Sequence, residues 1–182
     1  MIHNEERNQR KGLLINITGN GKGKTTSALG ACMRALGWNW KVKMIQFIKG
    51  SRETGEKRFA GSYAGNFEMI QAGLGMPLGS QIPEDKHIEA AHKAWTIAEN
   101  LILQKNVDLL VLDELNVSID LGWLKVEDVV ETLTNRPSWM TIIITGRNSP
   151  AECINISDLV SDIKEIKHPY NIGIPAQKGI DY

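Results

Sequence analysis

The chain has 182 residues, 42% of them hydrophobic, with 21 basic side chains against 21 acidic ones. That length suits one domain whose core needs no disulfide staple. The charge balance excludes the strong net field that would draw the chain to nucleic acid or to an anionic membrane surface. No apolar run approaches the ~20 residues needed to cross a bilayer, and no signal-peptide pattern opens the chain. Cys32 and Cys153 lie far apart, with neither metal-site nor C-x-x-C spacing, as expected of small buried thiols in a reducing compartment. The expectation is a cytoplasmic, single-domain protein spanning 1–182, with a polar arm over 1–11 and a tail over 167–182.

Leu13 to Ile17 (LLINI) reads as a short buried strand, and Ser27 to Leu36 carries apolar residues at helical spacing. Between them lies Thr18 to Thr26, TGNGKGKTT. Strand, glycine-rich turn and helix start form the setting in which a phosphate-binding loop is credible. Gly19, Gly21 and Gly23 let the backbone approach a ligand. Successive N–H groups, with Asn20 and Lys22 among them, can form an anion nest at the helix N-terminus. Lys24 can reach phosphates, and Thr25, followed by Thr26, can offer a hydroxyl to magnesium. The pattern G-x-x-x-x-G-K-[ST] wants glycine where Thr18 stands. Arg34, farther along the helix, either reaches back to bound nucleotide or is an ordinary surface arginine.

Lys41 to Ile48 reads as a second strand ending at Lys49 and Gly50. Ser51 to Gly65 is rich in glycine, serine and charge, a candidate active-site loop. Phe67 to Ile70 is a third strand. Gln71 to Pro83 is a loop that carries Leu74, Met76 and Leu78; such side chains either tuck into the core or line an apolar pocket. A helix begins at Pro83 and runs through Ile102, and His87 and His92 on it are read as ordinary helix histidines. Val107 to Leu112 is a buried strand that ends in Asp113 and Glu114, the acidic half expected of a magnesium–nucleotide site. Val126 to Leu133 is a helix and Met140 to Thr145 a strand followed by Gly146 and Arg147. Pro150 to Leu159 reads as a short helix and Asp162 to Ile166 as an edge strand.

Alternating strands and helices predict an α/β fold: a P-loop (RecA-like), mostly parallel open sheet with helices on both faces. Ligands bind at the carboxyl edge of such a sheet, which gathers Gly19 to Thr26, Lys49, Asp113, Glu114 and Arg147. On these grounds alone the default reaction is phosphoryl transfer by a kinase or ATPase. The motif binds phosphate without saying which bond breaks, and the sequence shows no clear general base.

Several segments together resemble the P-loop (CobA-type) ATP:corrinoid adenosyltransferases. They are TGNGKGKTT (Thr18 to Thr26), QFIKG (Gln46 to Gly50), GEKR (Gly55 to Arg58), VLDELN (Val111 to Asn116), IIITGR (Ile142 to Arg147) and the tail KHPYNIGIPAQKGIDY (Lys167 to Tyr182). The resemblance implies that Co(I) of a reduced corrinoid attacks the 5′ carbon of ATP, releasing triphosphate and an adenosylated corrinoid. By matched position, Gly19 to Thr26, Arg34 and Arg147 contact nucleotide, and Thr25 and Glu114 bind magnesium (or manganese) with Asp113 beside them. Lys24, Thr25 and Glu114 then carry the catalysis. Lys22, Lys49 and the tail line the site. The resemblance also implies a homodimer and a flavodoxin-like electron donor. Best-known members carry aromatic residues on the loop that presses on the corrin; here the loop reads GLGMPLG (Gly73 to Gly79), with Leu74 and Met76 in those places. The arm before Leu13 is also shorter than in members whose N-terminal helix covers the corrin.

Overall fold

The computed structural model describes residues 7, 9–50, 53–63, 65–77 and 79–182. Parts of the expected arm (1–6 and 8) and of the 51–65 loop (51, 52 and 64), together with Leu78, lie outside these residues.

Six strands form one sheet: β1 (Leu14–Thr18), β2 (Val42–Gln46), β3 (Phe67–Gln71), β4 (Leu109–Asp113), β5 (Thr141–Thr145) and β6 (Leu159–Asp162). The order is β3-β2-β4-β5-β1-β6, and every pairing is parallel. The helices are α1 (Lys24–Gly37), α2 (Gly55–Ser62), α3 (Glu84–Gln104), α4 (Leu115–Asp120), α5 (Val126–Thr134) and α6 (Ala151–Ile156), with a 3₁₀ turn at Pro169–Ile172. Side chains alternate across the strands. Leu110, Leu112, Ile142 and Ile144 face one layer, with Ala91, Trp95 and Ala98 of α3 and with Val129 and Leu133 of α5. Leu109, Val111 and Ile143 face the other, with Ala28 and Cys32 of α1 and Ala60 of α2. Small residues on α1 and α3 let both helices lie close to the sheet, whose central strands are therefore buried on both faces, as in parallel sheets generally.

Five expectations are corrected. Residues 55–62 of the presumed loop are helical, because Thr54 caps α2 by accepting a hydrogen bond from the Lys57 N–H. The last strand is Leu159–Asp162 rather than 162–166, because pairing with Ile15–Thr18 of β1 fixes its span. The preceding helix accordingly stops at Ile156. Helix α1 begins at Lys24, inside the glycine-rich motif, and α4 follows β4 where no helix was expected. His87 is buried and stacked on Trp123, with ring centroids 5.5 Å apart. Both cysteines are buried, and burial pushes their thiols up to about 12 at Cys32 and about 11 at Cys153.

At the amino edge of the sheet, Asp108 is fully buried. It accepts hydrogen bonds from Arg7 (2.8 and 3.1 Å), Arg10 (2.9 Å) and the Lys41 N–H (2.9 Å). The Arg10 guanidinium also lies 3.7 Å from the Trp40 ring centroid. Burial alone would push the Asp108 carboxyl up, but the two guanidinium groups and the Lys41 N–H hold it well below the usual range. Asp108 therefore stabilises the fold above the ordinary aspartate pKa, and the contribution is lost as pH falls through and below that range. Asp108→Asn is expected to cost about 3 kcal/mol in urea unfolding at pH 7. The gap between variant and parent should narrow below about pH 4; a pH-independent gap would contradict this assignment.

Candidate active site

β1 ends at Thr18 and α1 starts at Lys24, so residues 19–23 form the turn. Gly19 (φ 99°) and Gly23 (φ 122°) occupy the left-handed half of backbone space, which side chains resist. The loop also packs against its own chain. The Gly21 N–H donates to the Ile163 carbonyl at 2.7 Å, and a Cβ on Gly19 would overlap the Asp162 carboxylate. Two of the glycines thus admit the segment after β6, a reason that the phosphate-loop reading does not contain.

Lys24 is buried and donates to the carbonyls of Gly19 and Gly21, both at 2.8 Å. Its ammonium therefore lies in the cup of the loop. The Thr25 and Thr145 hydroxyls each donate to Asp113 Oδ1 at 2.8 Å, and the Gln46 amide donates to Oδ2 at 3.0 Å. Parallel pairing brings these groups together: β2, β4 and β5 are neighbours, and Gln46 is in register with Asp113. Glu114 takes a left-handed conformation (φ 64°) as the cap of α4, and its N–H donates to Thr145 Oγ1 at 2.9 Å.

The electrostatics show a site short of counter-charge. Burial, and then neighbouring Asp113, push the Glu114 carboxyl above its ordinary range, although Lys24, Lys49 and Arg147 pull it down. Burial lowers the Lys24 ammonium, Glu114 and Asp113 raise it, Arg147 lowers it, and the balance is down. A polyphosphate beside Lys24 and a cation beside Glu114 would relieve both. Among the described residues no group of three or more His, Cys, Asp and Glu side chains could hold a metal ion alone. The hard oxygens of Thr25, Asp113 and Glu114 fit magnesium, whose shell is commonly completed by substrate phosphates and water.

Two cavities open on this edge. One, of about 620 Å³, is lined by Lys22, Gly23, Lys24, Thr25 and Thr26 with Leu29, Phe59 and Glu56. The other, of about 810 Å³, is lined by Ile48, Leu74, Met76, Val117 and Arg147. Lys49, Glu114, Asp181 and Tyr182 line both. Gly19 and Asn20 instead face a polar recess with Arg147, Asp162 and Lys164. Arg34 is set apart: it is exposed, in the last turn of α1, and lines neither main cavity. Nine residues of helix at 1.5 Å each separate it from Thr25, which does not support nucleotide contact within this chain. Arg7 and Arg10 lie at the opposite edge, so the described part of the arm is not over the site.

Sequence reasoning missed several contacts. Lys22 is ion-paired with Asp181 of the tail, and Lys49 with Glu56 of α2 at 2.9 Å. Thr145 ends its predicted strand, a signal that points to it, whereas Gln46 lies inside the predicted second strand and ends the observed one, Val42–Gln46.

A family model described as ATP:corrinoid adenosyltransferase BtuR/CobO/CobP matches residues 10–182. The chain belongs to this ATP:corrinoid adenosyltransferase family. It is 35% identical to the corrinoid adenosyltransferase of Escherichia coli over 94% of this chain and 86% of that one. With the enzyme of Pseudomonas aeruginosa the identity is 36%, covering 94% and 84%. With corrinoid adenosyltransferase CobA of Salmonella typhimurium it is 33%, covering 96% and 87%. The fold alone is shared with the flagellar accessory protein FlaH of Methanocaldococcus jannaschii, at 12% identity and a TM-score of 0.55 over 84% of this chain and 71% of that one. The α/β architecture and the family resemblance seen in the sequence are both borne out. For a corrinoid adenosyltransferase the two adjoining cavities have an immediate meaning, since two large substrates must meet.

Proposed function

We infer that this protein is an ATP:corrinoid adenosyltransferase in which ATP occupies the phosphate-loop cavity and the reduced corrinoid the cavity beside Leu74 and Met76. The observation that carries this placement is the wall the two cavities share, because the 5′ carbon and the cobalt must meet there. The electron pair of Co(I) forms the Co–C5′ bond. The C5′–O pair departs with triphosphate, and no proton has to be removed. Lys24 and the N–H groups at the start of α1, from Lys22 to Thr26, hold the triphosphate in the first cavity. Thr25 and Glu114, with Asp113 beside them, would hold magnesium (or manganese), which neutralises charge on the leaving group. Alignment of carbon and cobalt contributes on the order of 7–11 kcal/mol to lowering the barrier. The homodimer and a flavodoxin-like donor reducing Co(II) are carried from the family resemblance, and the cytoplasmic location from the composition and cysteine usage of the sequence. No helix among the described residues is long and apolar enough to cross a membrane.

Anaerobic single turnover with ATP, magnesium and chemically reduced cobalamin tests the reading. Equimolar adenosylcobalamin and triphosphate are expected; ADP as the nucleotide product would point to phosphoryl transfer instead. Leu74 and Met76 are exposed on their loop and line the second cavity. Met76→Trp is therefore expected to restore an aromatic face, shift the Co(II)-corrinoid spectrum and raise the rate of turnover starting from Co(II). An unchanged spectrum and rate would place the corrin elsewhere.

A further inference from the structure

Lys49 occupies a place that the phosphate loop does not explain. It follows β2 by three residues, and the backbone around it is pinned. The Phe47 N–H donates to the Asp113 carbonyl at 2.9 Å, the Gly75 N–H to the Ile48 carbonyl at 2.8 Å, and the Phe47 and Ile48 side chains are buried. Its ammonium is fixed by Glu56 Oε1 at 2.9 Å, yet the side chain keeps 30% of its surface accessible. Burial would push the Glu56 carboxyl up, but the bonds from Lys49 and from its own N–H prevail, so it stays ionised as an anchor. Of the four residues in the wall between the cavities, Lys49 alone is cationic; the others are Glu114, Asp181 and Tyr182. Lys24 lines the first cavity without the second, and Arg147 the second without the first.

The geometry points to Lys49 as a catalytic residue that contacts the oxygen bridging C5′ and the α-phosphorus, and Glu56 as the residue that positions it. This rests on the adenosyl-transfer reading. As the cobalt pair forms the Co–C5′ bond, the C5′–O pair collapses onto that oxygen. The charge then grows at the boundary, where a fixed ammonium stabilises the transition state more than bound ATP. No proton changes hands. Lys24 lines only the first cavity while Lys49 stands in the shared wall, so the two lysines separate into a binding and a catalytic cation.

The test is steady-state and single-turnover kinetics of the full-length protein with ATP and chemically reduced cobalamin, alongside thermal unfolding. Lys49→Met is expected to lower kcat about 100-fold while KM for ATP moves by less than about threefold. The melting temperature should be retained, Lys49→Arg should recover much of the rate, and Glu56→Gln should give a smaller kcat loss of the same kind. An unchanged kcat in Lys49→Met, or a loss carried by KM or matched by a fall in melting temperature in both Lys49 variants, would overturn the assignment. Parent protein that forms ADP and no adenosylcobalamin would overturn the underlying reading as well. Adenosylation by the parent with an undiminished Lys49→Met variant would overturn the Lys49 role alone.

Discussion

Lys24→Ala is expected to lower kcat/KM for ATP by about tenfold to a hundredfold, the equivalent of one charge-assisted hydrogen bond of about 1.5–3 kcal/mol. The ammonium has two roles in the structure. It ties the carbonyls of Gly19 and Gly21 into the cup of the loop, and it faces the cavity that would hold the triphosphate. Removing it leaves the carbonyls unpaired and the triphosphate without its buried cation. The effect should fall mainly on ATP binding, in contrast to Lys49. Burial lowers the Lys24 pKa, with Arg147 adding to the effect. The triphosphate-binding form is the ammonium, so ATP affinity should fall as pH rises through that lowered value, earlier than for an ordinary lysine. Lys24→Ala should lack this decline. Isothermal titration with ATP and magnesium across the alkaline range measures both effects; unchanged affinity in the variant would remove Lys24 from the site.

Asp113→Asn is expected to be as severe. Asp113 is wholly buried and accepts hydrogen bonds from Thr25, Thr145 and Gln46. Through Thr25 it orients the hydroxyl assigned to magnesium, and through Thr145 it fixes the N–H of Glu114. An asparagine presents an NH₂ group where a carboxylate oxygen accepted a hydrogen bond, so at least one donor must turn away. Partners behind a metal ligand are typically worth about tenfold to a hundredfold in metal affinity or activity. The apparent magnesium requirement should rise by that order, with saturating magnesium recovering part of the rate. A variant with the parent's magnesium dependence would show that Asp113 is only a packing group.

The parts of the site that were legible in the sequence are those written in contiguous residues. An apolar run followed by TGNGKGKTT, and another ending in Asp113–Glu114, place themselves at one edge of a parallel sheet by connectivity alone. The runs around β2, β4 and β5 are apolar because the sheet is covered on both faces. What escaped depends on contacts distant in the chain. Helix α2 buries only Ala60 among its eight residues, so it leaves almost no apolar stripe. Strand β6 is exposed along its whole length, and its span follows from pairing with β1 rather than from its own pattern. The pairs Lys22–Asp181 and Lys49–Glu56 need the fold before they can be named. Gly19 and Gly21 carried a correct signal of close approach, and part of what approaches is the chain's own segment after β6.

The most direct measurement is to follow the 5′ carbon. ATP labelled with ¹³C at C5′ is incubated with the protein, magnesium and chemically reduced cobalamin without oxygen, and the products are separated and read by ¹³C NMR. The account predicts that the label leaves the nucleotide and appears bonded to cobalt in the corrinoid fraction, with unlabelled triphosphate released in equal amount. Label retained in ADP or AMP, with the corrinoid unlabelled, would contradict it.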